Sequence, residues 1–184
     1  AKENNLKMHI DGARIFNATT ALNITLSSLI ENVDSVTFCL SKGLACPIGS
    51  VVCGSKDFID SARRMRKALG GGMRQAGIIA AAGLIAINKL ETQISEDHDN
   101  AQLLADGLNQ IDGLDIDKNK VKTNIMYFEL KSDTVSSKYL LKEMQNQGIL
   151  FFEVSPNRYR LVTHYGITES DIIYTLEAFQ KILS

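Results

Sequence analysis

Two short segments of this sequence carry residue types that could do chemistry. The first is His9-Ile10-Asp11-Gly12-Ala13-Arg14. The stretch KMHID, from Lys7 to Asp11, reads as a short buried strand that ends on an acid. In open α/β sheets, ligands sit outside the carboxyl ends of the strands, so a carboxylate there is placed to meet one. A plainer reading has Asp11 cap the next helix and Arg14 pair with it. The second segment is Ser41-Lys42-Gly43, directly after the apolar run SVTFCL. An amine between an apolar strand and Gly-Leu-Ala-Cys-Pro is expected to be poorly solvated. Burial penalises the ammonium and lowers its pKa. A partly desolvated amine can add to a carbonyl as a Schiff base. A lysine that snorkels from a strand end into water would have the same neighbours.

The two segments are more specific together than apart. A carboxylate and a lysine at the ends of neighbouring strands match the needs of pyridoxal 5'-phosphate (PLP). The acid keeps the pyridine nitrogen protonated, so that the ring can accept electrons, and the lysine carries the aldehyde carbon. Two further clusters are basic. Arg63-Arg64-Met65-Arg66-Lys67 runs into Gly70-Gly71-Gly72-Met73-Arg74-Gln75. Basic residues ahead of a glycine loop at a helix start could receive a phosphate, and they would equally make a solvated helix face or a subunit contact. In Asn157-Arg158-Tyr159-Arg160-Leu161-Val162-Thr163-His164, strand alternation puts Arg158 and Arg160 on one face and Tyr159 on the other. An inward arginine there could grip a carboxylate with two parallel hydrogen bonds; an ordinary ion pair on a strand is the alternative.

Composition sets limits on what these residues serve. Lys and Arg number 20 against 21 Asp and Glu, so no overall charge points to nucleic acid or an anionic membrane. No apolar run reaches the roughly 18–20 residues that span a bilayer, and no secretory signal stands at the start. Cys39, Cys46 and Cys53 are odd in number and contain no C-x-x-C pair. They fit neither a disulfide framework nor a zinc site, and a reducing, cytosolic setting with buried structural thiols is the expectation.

The elements that must position these residues fall into two patterns. Strands are expected over Lys7–Asp11, Ser35–Leu40 and Gly49–Cys53, with helical stretches between and after them, notably Lys56–Leu69. Strand and helix in alternation predict an α/β layer with a mostly parallel sheet. A helix from Arg74 to about Leu90 is apolar on nearly all sides, which predicts burial at a domain or subunit interface. Another helix opens at Ser95. Beyond Gly113 the pattern becomes α+β. It has strands at Thr123–Leu130, Ile149–Val154 and Tyr159–Thr163, and a helix Ser136–Gln147 stopped by Gly148. Thr168 caps a last helix, with Asp171 three residues on and an apolar stripe of Ile172, Leu176, Phe179 and Leu183. The domain boundary is expected near Ile111.

In order along the chain, HIDGARIFNA, SVTFCLSKGLACPIGSVVCGS, RRMRKALGGGMRQAG, SEDHDNAQLLADGL, TNIMYFEL and RYRLVTH resemble the low-specificity L-threonine aldolases, of the β-eliminating-lyase group of fold-type-I PLP enzymes. The resemblance implies part of the large-domain sheet over 1–111 and a small α+β C-terminal domain over 112–184. It implies retro-aldol cleavage of threonine or allo-threonine to glycine and an aldehyde, with PLP as cofactor, an amino acid as substrate, and a cytoplasmic homo-oligomer, dimer or tetramer. Lys42 would be the Schiff-base lysine. Asp11 would face the pyridine nitrogen, and Arg14 the 3-oxygen and the substrate carboxylate region. Arg74 would lie near the phosphate, and Arg160 would bind the carboxylate. His98 and Asn100 match a family helix and are expected to be structural. Members of the family carry a longer N-terminal part, with a phosphate loop and a histidine that stacks on the cofactor ring. A missing N-terminal segment is therefore expected, and the general base is expected to lie in it. The same Asp and Lys would serve another fold-type-I lyase or an aminotransferase, and the chain alone could be a catalytically inert fragment.

Overall fold

The computed structural model describes all residues except Leu90, and the side chains of all but residues 90–92. The chain forms two compact units, Ala1–Thr92 and Gln93–Ser184.

The first unit is built on a three-stranded sheet in the order β1-β2-β3. Its strands are β1 (His9–Asp11), β2 (Ser35–Cys39) and β3 (Ser50–Gly54), with α1 (Ile15–Leu22) and the short α2 (Leu26–Leu29) between β1 and β2. β1 pairs in parallel with β2, Asp11 opposite Thr37. β3 returns antiparallel, Cys39 opposite Ser50, which corrects the mostly parallel sheet expected from the sequence. The physical reason is the length of the connection. A parallel return needs a crossover of about a dozen residues or more, usually a helix, and residues 40–49 hold neither. Along β2 the side chains alternate: Val36 and Phe38 are buried, and Ser35, Thr37 and Cys39 face outward. Phe16 of α1 meets Phe38 edge-on, ring centroids 5.4 Å apart, and Ile15, Leu40 and Leu44 complete a small core.

α3 (Lys56–Ala68) starts on the side chain of Ser55, which accepts from the Phe58 N–H. α4 spans Gly77–Lys89, inside the helix expected from Arg74; the Leu90 end of that expectation lies outside the described residues. Only Gly83 and Ala86 of α4 are buried. Gly83 lies against Leu40, where a Cβ would come within 3.2 Å of a methyl carbon. Ile78, Leu84 and Ile85 are 83%, 64% and 60% exposed. The expected burial of this helix is therefore not supplied within its own unit, whose three-stranded sheet is too small to cover an apolar helix on all sides.

The second unit carries a four-stranded antiparallel sheet in the order β4-β5-β7-β6. The strands are β4 (Leu114–Asp115), β5 (Ile125–Leu130), β6 (Phe152–Ser155) and β7 (Arg158–Val162). Its helices are α5 (Glu91–Leu108), which begins two residues ahead of the unit, α6 (Ser137–Asn146) and α7 (Glu169–Leu183). One core joins Leu108, Phe128, Leu140, Met144, Tyr159 and Phe179, all essentially inaccessible. α5 contributes Ala101, Leu104, Ala105 and Leu108 to it. The compact unit therefore starts at Gln93, inside the first turn of α5, upstream of the boundary expected near Ile111. α6 ends where Gly148 turns left-handed at φ 78°, and α7 opens with the expected capping box between Thr168 and Asp171. Among the described residues no helix is long and apolar enough to cross a membrane.

Candidate active site at the sheet edge

Because β1 and β2 run parallel, their carboxyl ends open on the same edge of the first sheet. Asp11 is the last residue of β1. The next residue, Gly12, donates its N–H to the Thr37 carbonyl at 2.8 Å. A Cβ at Gly12 would stand 2.8 Å from that same oxygen and 3.0 Å from the Ile15 Cβ. Only glycine lets the two strand ends close this tightly, and that closure fixes where the Asp11 carboxylate leaves the sheet. Arg14 follows at the N-cap of α1. Its Nε is buried and has no hydrogen-bond partner among the described residues.

Lys42 sits in the tight turn after β2. The Ala45 N–H donates to the Lys42 carbonyl at 2.8 Å, and the Cys46 N–H to the Leu40 carbonyl at 3.0 Å. The neighbouring Gly43 is buried against Asn17 of α1, where a Cβ would fall 2.5 Å from the side-chain oxygen. The turn that carries Lys42 is therefore seated on the helix that follows Asp11 and Arg14. All three residues come to one edge of one sheet.

The local environment differs from expectation in three respects. Lys42 is exposed, not desolvated; the turn buries Gly43 and Leu44 and leaves the lysine outside. β1 is an edge strand with only Ile10 half-buried, so Asp11 is exposed too. The plainer reading of Asp11 also fails. α1 has no side-chain cap, and no ion pair joins Asp11 to Arg14 among the described residues. The carboxylate of Asp11 and the amine of Lys42 have no side-chain partner there. His9, which opens the first candidate segment but was given no role there, is exposed two residues before Asp11, its Nδ1 2.9 Å from the Ser35 hydroxyl. Strand alternation from Asp11 back to His9 was the available signal.

The basic run of α3 is a solvated face. Arg63 pairs with Asp60 at 3.3 Å, and Arg64 donates to Ser61. Arg74 is exposed in the segment between α3 and α4, with no hydrogen bond or ion pair to Asp11, Arg14 or Lys42. Of the cysteines, Cys46 alone is buried; Cys39 is half-buried and Cys53 exposed, so the expectation of three buried thiols holds for one. Burial pushes the Cys46 thiol pKa up. Among the described residues no cluster of His, Cys, Asp and Glu could hold a metal ion.

In the second unit β7 alternates as expected: Tyr159 is fully buried, Arg158 and Arg160 face the other way. The two arginines differ. The Arg158 guanidinium lies over the Tyr127 ring, 5.0 Å from its centroid, and Glu129 stands opposite in register. The Arg160 Nε is buried with no partner among the described residues. Asn100 of α5 donates to the Ile167 carbonyl at 3.0 Å. Burial holds the His98 imidazole below its usual pKa, against the opposing charge of Asp99. Asp97 was not singled out from the sequence. It is fully buried, and burial raises its carboxyl pKa, opposed by the Gln93 amide and by His164.

Over all 184 residues the chain is 43% identical to low-specificity L-threonine aldolase 1 of Arabidopsis thaliana, of which it covers 51%. It therefore spans about half the length of the curated relatives it matches. Among solved structures, the threonine aldolase of Leishmania major superposes with a TM-score of 0.76 at 18% identity, over 100% of this chain and 54% of that one. L-threonine-O-3-phosphate decarboxylase of Porphyromonas gingivalis superposes at 0.70 and 18%, over 99% and 56%. Over its own length the fold is thus part of the fold-type-I architecture, and at these identities the likeness speaks for fold alone. The model of the beta-eliminating lyases matches residues 1–131, which include the whole Asp11–Lys42 edge. The chain belongs to the beta-eliminating lyase family.

Proposed function

We propose that the complete protein is a PLP-dependent lyase that cleaves threonine, allo-threonine and related β-hydroxy-α-amino acids to glycine and an aldehyde. The observation that carries this reading is the presence of a carboxylate, Asp11, and an amine, Lys42, each without a side-chain partner among the described residues, at one sheet edge whose backbone closes through Gly12 and Gly43. The orphaned Nε of Arg14 beside them adds a buried donor in need of an acceptor. These groups fit PLP: an anion for the pyridine nitrogen, an amine for the aldehyde carbon, and a cation for the 3-oxygen.

When bound, the cofactor supplies an electron sink for the pair released as the Cα–Cβ bond breaks. The chain's own residues do the rest. Asp11 holds a proton at the pyridine nitrogen. Lys42 would hold the cofactor through its amine, at the aldehyde carbon. Arg14 serves the 3-oxygen and the carboxylate region, and Arg74 the phosphate. Arg160 binds the substrate carboxylate and so sets the direction of the Cα–Cβ bond. Its free Nε supports this role over Arg158, which is engaged with Tyr127. The exposed apolar side chains of α4 support a homo-oligomer, and the unpaired thiols support a reducing, cytoplasmic setting.

The test is borohydride reduction of the complete protein with PLP, followed by peptide mapping, alongside product analysis from threonine. Label on Lys42, its loss in Lys42→Ala, and glycine with acetaldehyde as products are expected. Label on another lysine sinks the site, and a keto-acid product sinks the reaction class.

A further inference from the structure

The segment that follows Arg160 is tied down by more polar contacts than a strand end requires. Thr163 stands one residue beyond β7 and is 2% exposed. Its N–H donates to the Asn124 carbonyl at 3.0 Å, which prolongs the β5–β7 ladder by one pair. Its carbonyl accepts from the Asn124 side-chain amide at 2.7 Å. Its hydroxyl donates to the backbone carbonyl of Asp97, in the middle of α5. Three residues further on, the Asn100 amide donates to the Ile167 carbonyl at 3.0 Å. The Ile167 N–H closes the intervening turn on the His164 carbonyl, and Gly166 sits left-handed at φ 90°. The turn His164–Gly166 is thus fastened to α5 at both ends, and every polar group of Thr163 is used.

Arg160 has no comparable anchor of its own. Its Nε is buried without a partner among the described residues, so its direction follows from the path of β7. That path is set by β5 and β6 at the sides and by the Thr163 clamp at the end.

We propose that Thr163, with Asn124 and the Asp97 carbonyl, is a positioning device that aims Arg160 at the substrate carboxylate. This rests on the reading of Arg160 given above. Positioning is costly to lose, since a displacement of about 1 Å can cost about 100-fold in rate. A hydroxyl deletion that leaves the strand ladder intact is a milder change, and about tenfold is expected.

The experiment uses the complete protein loaded with PLP and glycine as the probe. Glycine affinity is measured by titration calorimetry, PLP affinity separately, and kcat and KM for threonine in parallel. Thr163→Val keeps the shape and removes the hydroxyl. It should weaken glycine binding and raise KM by about tenfold, leave kcat and PLP affinity within about twofold, and be rescued by Thr163→Ser. Asn100→Ala, at a half-buried site, releases the far end of the turn and should act in the same direction, more weakly. On an Arg160→Gln background, Thr163→Val should add no further loss. Unchanged glycine affinity in Thr163→Val and Asn100→Ala overturns the proposal, as does a kcat loss with KM unchanged. If Thr163→Val does not fold, Asn100→Ala and Thr163→Ser decide alone. If Arg160→Gln itself leaves glycine binding unaltered, the carboxylate role of Arg160 falls first and the clamp falls with it.

Discussion

Gly12 offers a sharp test of the site, because its reason for being glycine is spatial. It does not adopt a left-handed conformation. A methyl group there would meet the Thr37 carbonyl at 2.8 Å and the Ile15 Cβ at 3.0 Å, in a spot that is already buried. The Thr37 oxygen cannot simply give way, since it accepts the Gly12 N–H at 2.8 Å. Gly12→Ala should therefore weaken that hydrogen bond, about 1 kcal/mol, and overpack the strand–helix junction, about 1–3 kcal/mol. The sum, about 2–4 kcal/mol, is a large part of the roughly 5–15 kcal/mol that holds a domain together. The same shift moves Asp11, so PLP affinity should fall as well. Gly77→Ala is the control. Nothing lies within 4 Å of its Cβ position, it starts a helix, and alanine should be neutral or stabilise by up to about 1 kcal/mol. Urea unfolding of the complete protein, with PLP titration of each variant, reads both effects. A Gly12→Ala protein with an unchanged urea midpoint and unchanged PLP affinity would refute the close-approach argument.

Two further outcomes are expected from the second unit. Burial raises the Asp97 pKa above its ordinary value of 3.8. Between those two values the folded protein keeps a proton that the unfolded chain has released, so stability falls as pH rises through the window. Asp97→Asn should flatten that dependence and raise Tm above it, measured by thermal scans from about pH 4 to about pH 8; a lower Tm at neutral pH would contradict the sign. Phe179 is fully buried and packs edge-on to Phe128 at 5.4 Å. Phe179→Ala should cost about 3–5 kcal/mol in chemical denaturation, and a loss under about 1 kcal/mol would place the core elsewhere.

The residue patterns by themselves marked the candidate segments. Asp11 and Lys42 were recognisable because each closes an apolar run, and strand ends are set by local alternation. The helix of Thr168 and Asp171, the stop at Gly148, and the two faces of β7 were equally legible, since each depends on residues a few positions apart. Tertiary structure decided what depends on distant neighbours. The direction of β3 followed from the short connection 40–49, not from its composition. The exposure of Lys42 and Asp11 followed from a small sheet with β1 at its edge. The difference in surroundings between the two arginines, Arg158 over the Tyr127 ring and the Arg160 Nε buried with no partner among the described residues, depends on β5, thirty-odd residues away. The clamp on Thr163 joins α5, the start of β5 and the end of β7, and no one of those segments shows it alone. Apolar periodicity reports which side of an element is buried; it carries no record of which partner buries it, and partner identity is what places Asp11 and Lys42 on one edge and fastens the strand end beyond Arg160.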